Sequence, residues 1–209
     1  VTFLELCQTL RREVGASGTG PANVDGQTGE YARLVEYIRN EWIRIQERHQ
    51  RWNFAWGEGT LDVEPAFREY ELPNDVAVVD PDTLYLGDTH LNVIDWRQFR
   101  EDFRKPSGAD IRRVAFDPSG KIHLESTPKS TGTVTFEYWK APQRLVENND
   151  VPRAPSVYHM AIVYAAMAQY GLYENAPEVV QQAQNNYAGI YQEMVNRELP
   201  GVKIQGPLA

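Results

Sequence analysis

The sequence predicts an α+β protein: a four-helix bundle built from both chain ends, with a small antiparallel β domain inserted between them. Three observations point there. Apolar residues recur at helical spacing up to about Trp52 and again after Pro155. Between these stretches the runs are short and broken by Pro, Gly and Asp, the punctuation of strands. The hairpin Pro155–Leu199 cannot bury both of its apolar faces alone, so it needs the N-terminal helices as partners. The expected divisions are 1–52 with 143–199 for the helical part, 53–142 for the β insertion, and 200–209 for an extended C-terminal tail.

Thr2-Phe-Leu-Glu5 has the spacing of a capping box, and Phe3, Leu6, Cys7, Leu10 and Val14 follow as one stripe, predicting a helix over 2–14. Gly15 to Gly29 forms a long glycine-rich connection. It is not a phosphate loop, because a helix precedes it and no Lys-Ser/Thr pair follows. Long loops in compact chains are often interaction elements, so Gly15, Ser17, Gly18, Thr19, Gly20 and Pro21 are candidate inter-subunit residues. Thr28 is placed to cap a helix over 30–51, whose stripe is Tyr31, Leu34, Val35, Ile38, Trp42, Ile45 and His49.

Strands are expected at Thr60–Val63, Arg68–Leu72, Val76–Val79, Thr83–Leu86, Leu91–Asp95, Ile111–Phe116, Lys121–Glu125 and Thr133–Trp139, with a short helix at Trp96–Phe103. Asp117-Pro-Ser-Gly120 reads as a tight hairpin turn. In the last strand Val134, Phe136 and Tyr138 alternate with polar residues, which sets one face toward a core. The helix 155–173 is apolar nearly all round and is expected to be buried, with Val157, Met160, Ala161, Tyr164, Ala168, Gly171 and Leu172 on one stripe. Asn175 or Ala176, Pro177 and Glu178 suit the start of the helix 177–199. The tail carries Val202, Ile204, Pro207 and Leu208, an apolar set without a partner inside the fold and therefore a candidate contact for another chain.

Composition narrows the function. The 209 residues carry a net charge of −8, which argues against a protein whose task is to grip nucleic acid. Cys7 is the single cysteine, so an internal disulfide and a multi-cysteine metal site are excluded; it lies on the apolar stripe, as a packed core thiol would. No run is long and apolar enough to span a membrane, and no leader opens the chain, which leads to the expectation of a cytoplasmic product. Histidines 49, 90, 123 and 159 form no pair at ligand spacing, and no nucleophile, zinc or dinucleotide motif occurs. Asp80, Asp82, Asp88 and Asp95 read as solvated turn acids. The sequence thus predicts no catalytic, metal-binding or cofactor-binding residue and no cofactor.

Several stretches carry a family resemblance: Thr2–Pro21, Gln27-Thr-Gly-Glu30, Glu137-Tyr-Trp-Lys-Ala-Pro142, Tyr158-His-Met-Ala-Ile-Val-Tyr164 and Tyr173-Glu-Asn-Ala-Pro177. With these the chain resembles the adaptor, or head–tail connector, proteins of tailed bacteriophages, and in plan the tubular tail proteins of short-tailed phages. The resemblance implies a non-enzymatic virion protein: a homo-oligomeric ring, commonly of twelve copies, at the neck of the particle. It would bind the portal protein on one side and a tail nozzle, terminator or tube protein on the other. DNA would pass through without specific binding, and no membrane is involved. Such a protein is made in the host cytoplasm. Two alternatives follow from the residues. One is a virion-associated hydrolase using Asp82, Asp88 or Asp95; the other is a lateral tail-fibre adaptor module.

Overall fold

The computed structural model describes residues 1–106, 108 and 110–201. It is mixed α+β, with five α-helices and two small sheets among the described residues. The chain divides into two compact units: Val1–Ala55 with the described part of Pro142–Ala209, and Trp56–Ala141.

The first unit contains α1 (Phe3–Glu13), α2 (Gly29–Glu47), α4 (His159–Tyr173) and α5 (Pro177–Glu198). The Thr2–Glu5 capping box forms in both directions and opens α1. Two further first-turn amides find partners in the returning chain: Phe3 N donates to Asp150 O at 2.7 Å and Leu4 N to Asn148 O at 3.2 Å. Phe3, Leu6, Cys7 and Leu10 face inward, as do Leu34, Val35, Ile38, Trp42 and Ile45 of α2. Helix α4 packs against α1, α2 and α5. Gly171 permits the last of these contacts, since a Cβ there would lie 2.9 Å from Val180 Cγ2 and 3.1 Å from Val180 N. Gln46, which is buried, closes the end of α2. Its side chain donates to Gln143 O at 3.0 Å and accepts from Gln143 N at 2.7 Å, while Trp52 Nε1 donates to its carbonyl at 3.1 Å.

Several local expectations are corrected here. Thr28 makes no side-chain cap, and α2 stops at Glu47, leaving His49 outside the helix, where its Nε2 meets the Tyr191 hydroxyl at 3.2 Å. The segment after Pro155 starts as a 3-10 turn, Ser156–Tyr158, before α4. Val157 and Leu172, predicted on a buried stripe, are 65% and 62% exposed, because nothing among the described residues covers the two ends of that stripe. At the start of α5, Asn175 takes a left-handed conformation at φ 53° and Pro177 holds the first helical position.

The second unit is layered. Sheet A joins β1 (Trp56–Val63), β9 (Gly132–Lys140), β4 (Tyr85–Leu86) and β5 (Thr89–His90), with β3 (Val76–Val79) also on β9. Sheet B runs β2 (Glu69–Tyr70), β8 (Ile122–Leu124), β7 (Arg113–Phe116) and β6 (Asn92–Val93). Val63, Val134, Phe136 and Tyr138 from sheet A meet Val114, Ile122 and Leu124 from sheet B in one core. On the far side of sheet B, Ala115 packs with Phe99 and Phe103 of the α3 region (α3, Trp96–Asp102). The expectation of a purely antiparallel insertion is corrected: β6 and β7 are parallel, and α3 is the crossover between them. The Asp117–Gly120 turn is present and tightly built. Asp117 Oδ1 accepts from Ser119 N at 2.8 Å, Ser119 Oγ at 2.6 Å and Lys121 N at 3.0 Å, and Oδ2 meets His123 Nε2 at 3.0 Å. The Ser119 and His123 hydrogen bonds hold the Asp117 carboxyl well below the usual carboxylate range.

Candidate functional site

The glycine-rich loop is the sequence-predicted contact element whose structure can be followed, and α1 builds its support. Arg11 follows Leu10 on the buried edge of the helix and is itself 8% exposed. Its guanidinium donates from Nε and Nη2 to Ser17 O at 3.0 and 2.7 Å, and its Nη1 pairs with Glu30 in the first turn of α2. The same Glu30 oxygen accepts from the Tyr170 hydroxyl of α4 at 2.8 Å. Burial, then the Glu30 carboxylate, pushes the Tyr170 phenol up to about 12. One cation and one carboxylate thus join the loop to α1, α2 and α4. A planar fork is suited to this, because it reaches a carbonyl and a carboxylate at once.

Further bonds brace the loop on either side. Gln8 Nε2 donates to Pro21 O at 3.1 Å, and Val24 N donates to Asn148 Oδ1 at 2.8 Å. Pro21 and Val24 are buried. Gly20 sits at φ +90°, and a Cβ there would stand 3.0 Å from Gln8 Cα, so both its conformation and its closeness to α1 require glycine. The outcome is a braced crest. Gly15, Ser17, Gly18 and Thr19 are exposed, Gly20 is half-buried and Pro21 is anchored beneath them. Sequence reading identified the loop but missed Arg11, whose partners Ser17 and Glu30 lie in the loop and in the next helix. Its one local signal is a charged residue next to the apolar stripe. The other candidate contacts, Val202, Ile204, Pro207 and Leu208, lie outside the described residues.

Of the carboxylates considered for hydrolysis, Asp95 has a structural occupation. Asp95 caps α3, accepting from Arg97 N at 2.8 Å and Gln98 N at 3.2 Å. Asp82 donates its amide to Asp80 Oδ1 at 3.2 Å in a turn, and its carbonyl meets His90 Nε2 at 3.2 Å. The groove that Asp82 lines also holds Glu58 and Glu137 but neither Asp88 nor Asp95. Cys7 is fully buried, and desolvation pushes its thiol up to about 12, far from a nucleophile's range. His159 is buried with Nε2 on Ala154 O at 2.9 Å, and burial lowers its pKa. Among the described residues, no group of three or more His, Cys, Asp or Glu side chains is placed to hold a metal ion, and no helix is long and apolar enough to cross a membrane.

Comparison with known families narrows the readings. The family model described as SU10 adaptor protein matches residues 1–208. The chain belongs to this bacteriophage adaptor family. As a member of this family it is a virion component. It is also similar to two curated proteins of Xenopus laevis. Peptidyl-glycine alpha-amidating monooxygenase B is 27% identical over 101 residues, 46% of this chain and 11% of that protein. Peptidyl-glycine alpha-amidating monooxygenase A is 28% identical over 96 residues, 44% of this chain and 10% of that one. The adaptor chain therefore spans about a tenth of the length of these relatives.

Proposed function

We propose that the protein is a ring-forming adaptor that joins the capsid portal to the tail and continues the channel through which DNA passes, without catalysis. The observation that carries this reading is the match of residues 1–208 to the adaptor family. In this reading α1, α2, α4 and α5 act as a four-helix bundle that supplies contacts around the ring, commonly of twelve copies. The crest Gly15–Gly20 presents a fixed shape to the neighbouring copy. A brace of this kind suits an assembly contact, because a loop already ordered loses little conformational freedom on docking. The tail 200–209 reaches the portal or a neighbouring subunit through Val202, Ile204, Pro207 and Leu208, and the β unit faces the tail machinery. The net charge of −8 favours a wall that DNA slides past. At 27% and 28% identity over less than half of the chain, the amidating enzymes contribute no activity to this reading.

Deleting residues 200–209 tests it. The truncated protein should fold, with an unchanged circular dichroism spectrum, yet fail to attach to portal-containing heads, so that DNA-filled but tailless heads accumulate. Normal completion of particles by the truncated chain would refute the role of the tail. Imaging of complete particles should show the chain as a symmetric ring on the portal axis; its presence at lateral sites only would refute the connector role and select the tail-fibre module.

A further inference from the structure

The two outer faces of the β unit carry opposite charge. On the α3 side, Trp96, Arg97, Arg100, Glu101 and Arg104 line one open concavity. Arg97 and Arg100 stand at i and i+3 on α3, and Arg104, just past the end of the helix, lines the same concavity, so the three form one ridge. All three are exposed, and none has an ion-pair partner among the described residues. Trp96 is half-buried against His123, with ring centroids 4.5 Å apart, and its stack on Phe99 fixes the foot of the ridge.

The far side of sheet A is the complement. Glu58, Asp82 and Glu137 line a groove of about 470 Å³ together with Thr60, Thr83, Thr135 and the exposed ring of Tyr85, and no Lys or Arg lines it. Glu58 and Glu137 are register partners in β1 and β9, a like-charge pairing that weakens a sheet. The Trp56 indole donates to Glu137 at 2.8 Å. Glu58 has no hydrogen-bond or ion-pair partner among the described residues. The layer order runs from groove to sheet A, core, sheet B and α3, so ridge and groove lie on opposite faces of one unit.

We propose that the α3 arginine ridge docks into the sheet A groove of the next copy of this chain, a head-to-tail contact repeated around the assembly. Two different patches on opposite faces make a heterologous interface, the type that closes into rings or extends as filaments. Guanidinium forks match carboxylates bidentately, and a groove with three carboxylates and no cation of its own gains most from receiving them. A phosphate backbone would also suit three arginines. The net charge of −8 and the narrowness of the basic strip favour a second copy. The proposal rests on the ring reading above and names the surfaces that would close the ring.

The test uses two full-length variants. One carries Arg97→Glu, Arg100→Glu and Arg104→Glu; the other carries Glu58→Lys and Asp82→Lys. All five side chains are solvent-accessible, and unchanged melting curves establish that each variant folds. Each variant alone should enter particles about tenfold less than the unaltered chain, the factor expected for losing a small set of rim ion pairs. Equal mixtures of the two should restore incorporation, since each reversed face then meets its complement. Unchanged incorporation of either variant into multi-copy rings overturns the proposed contact and leaves the ring standing. So does a result in which the arginine variant assembles normally but loses affinity for a duplex DNA probe, which assigns the ridge to nucleic acid. A single copy of the unaltered chain per particle overturns the contact together with the ring reading.

Discussion

Replacing Arg11 with alanine removes the brace of the glycine-rich crest, and its cost can be worked from the geometry. The two donations to Ser17 O are charge-assisted and together contribute about 1.5–3 kcal/mol. The Glu30 pair adds less than about 1 kcal/mol, because the carboxylate side chain is 36% exposed and screened by water. Truncation leaves no large buried debt: Ser17 is exposed and Glu30 keeps the Tyr170 hydroxyl. The expected destabilisation of the helical unit is therefore about 2–3 kcal/mol. With a urea slope of about 2 kcal/mol/M, the unfolding midpoint falls by about 1 M. Arg11→Lys keeps the charge but cannot fork onto one carbonyl, so it should recover less than half of the loss. Amide exchange resolves the effect by segment, with protection falling across 15–24 well before it falls in the middle of α2. A midpoint shift below about 0.2 M, with exchange in the loop unchanged, would show that Arg11 is not what holds the crest.

Three further outcomes are expected. Gly59→Ala should destabilise the β unit by about 1–2 kcal/mol in urea unfolding, because the new Cβ would lie 2.6 Å from Phe136 Cε2 in a buried core, and the strand propensity gained offsets only part of the overpacking. Tyr187→Phe should leave stability unchanged or raise it by up to about 1 kcal/mol, since its hydroxyl is buried without a hydrogen-bond partner among the described residues. The change should also reduce alkaline destabilisation: burial lifts the Tyr187 phenol to about 12, so the unfolded chain releases that proton first and stability falls as pH rises from about 10 toward 12. Asp117 behaves in the opposite sense. Its folded carboxyl titrates below the unfolded one, so its contribution is present above the usual carboxylate range and is lost as pH falls below about 4. Acid titration of Asp117→Asn, followed by exchange of the Ile122–Leu124 amides, should show a shallower loss than the unaltered chain.

How far the fold was legible depended on how local its causes are. The Thr2–Glu5 box, the Asp117–Gly120 turn and the alternation of Val134, Phe136 and Tyr138 act within a few residues, and each is present as read. Pairing choice is not local. Asn92–Val93 is two residues long, and only its partner in β7 makes it a parallel strand. Val157 and Leu172 follow the helical stripe faithfully, yet whether a stripe is covered is decided by tertiary neighbours. The candidate site divides in the same way. Composition showed the crest Gly15–Gly20, whereas its brace depends on Glu30 and Tyr170, and Tyr170 lies far down the chain from Arg11. The Arg97, Arg100 and Arg104 spacing is visible in the sequence, but the carboxylate groove opposite needs β1, β4 and β9 brought side by side.

The chain enters and leaves the β unit on adjacent strands: Trp56 opens β1, β9 ends at Lys140, and Trp56 is the register partner of Trp139. Antiparallel neighbours of this kind stand only about 5 Å apart, so the unit behaves as a cassette whose two stems share one doorway. A graft that keeps the Trp56–Trp139 rung can exchange everything beyond it, or lengthen its hairpins, without altering the spacing at which the helices receive the chain.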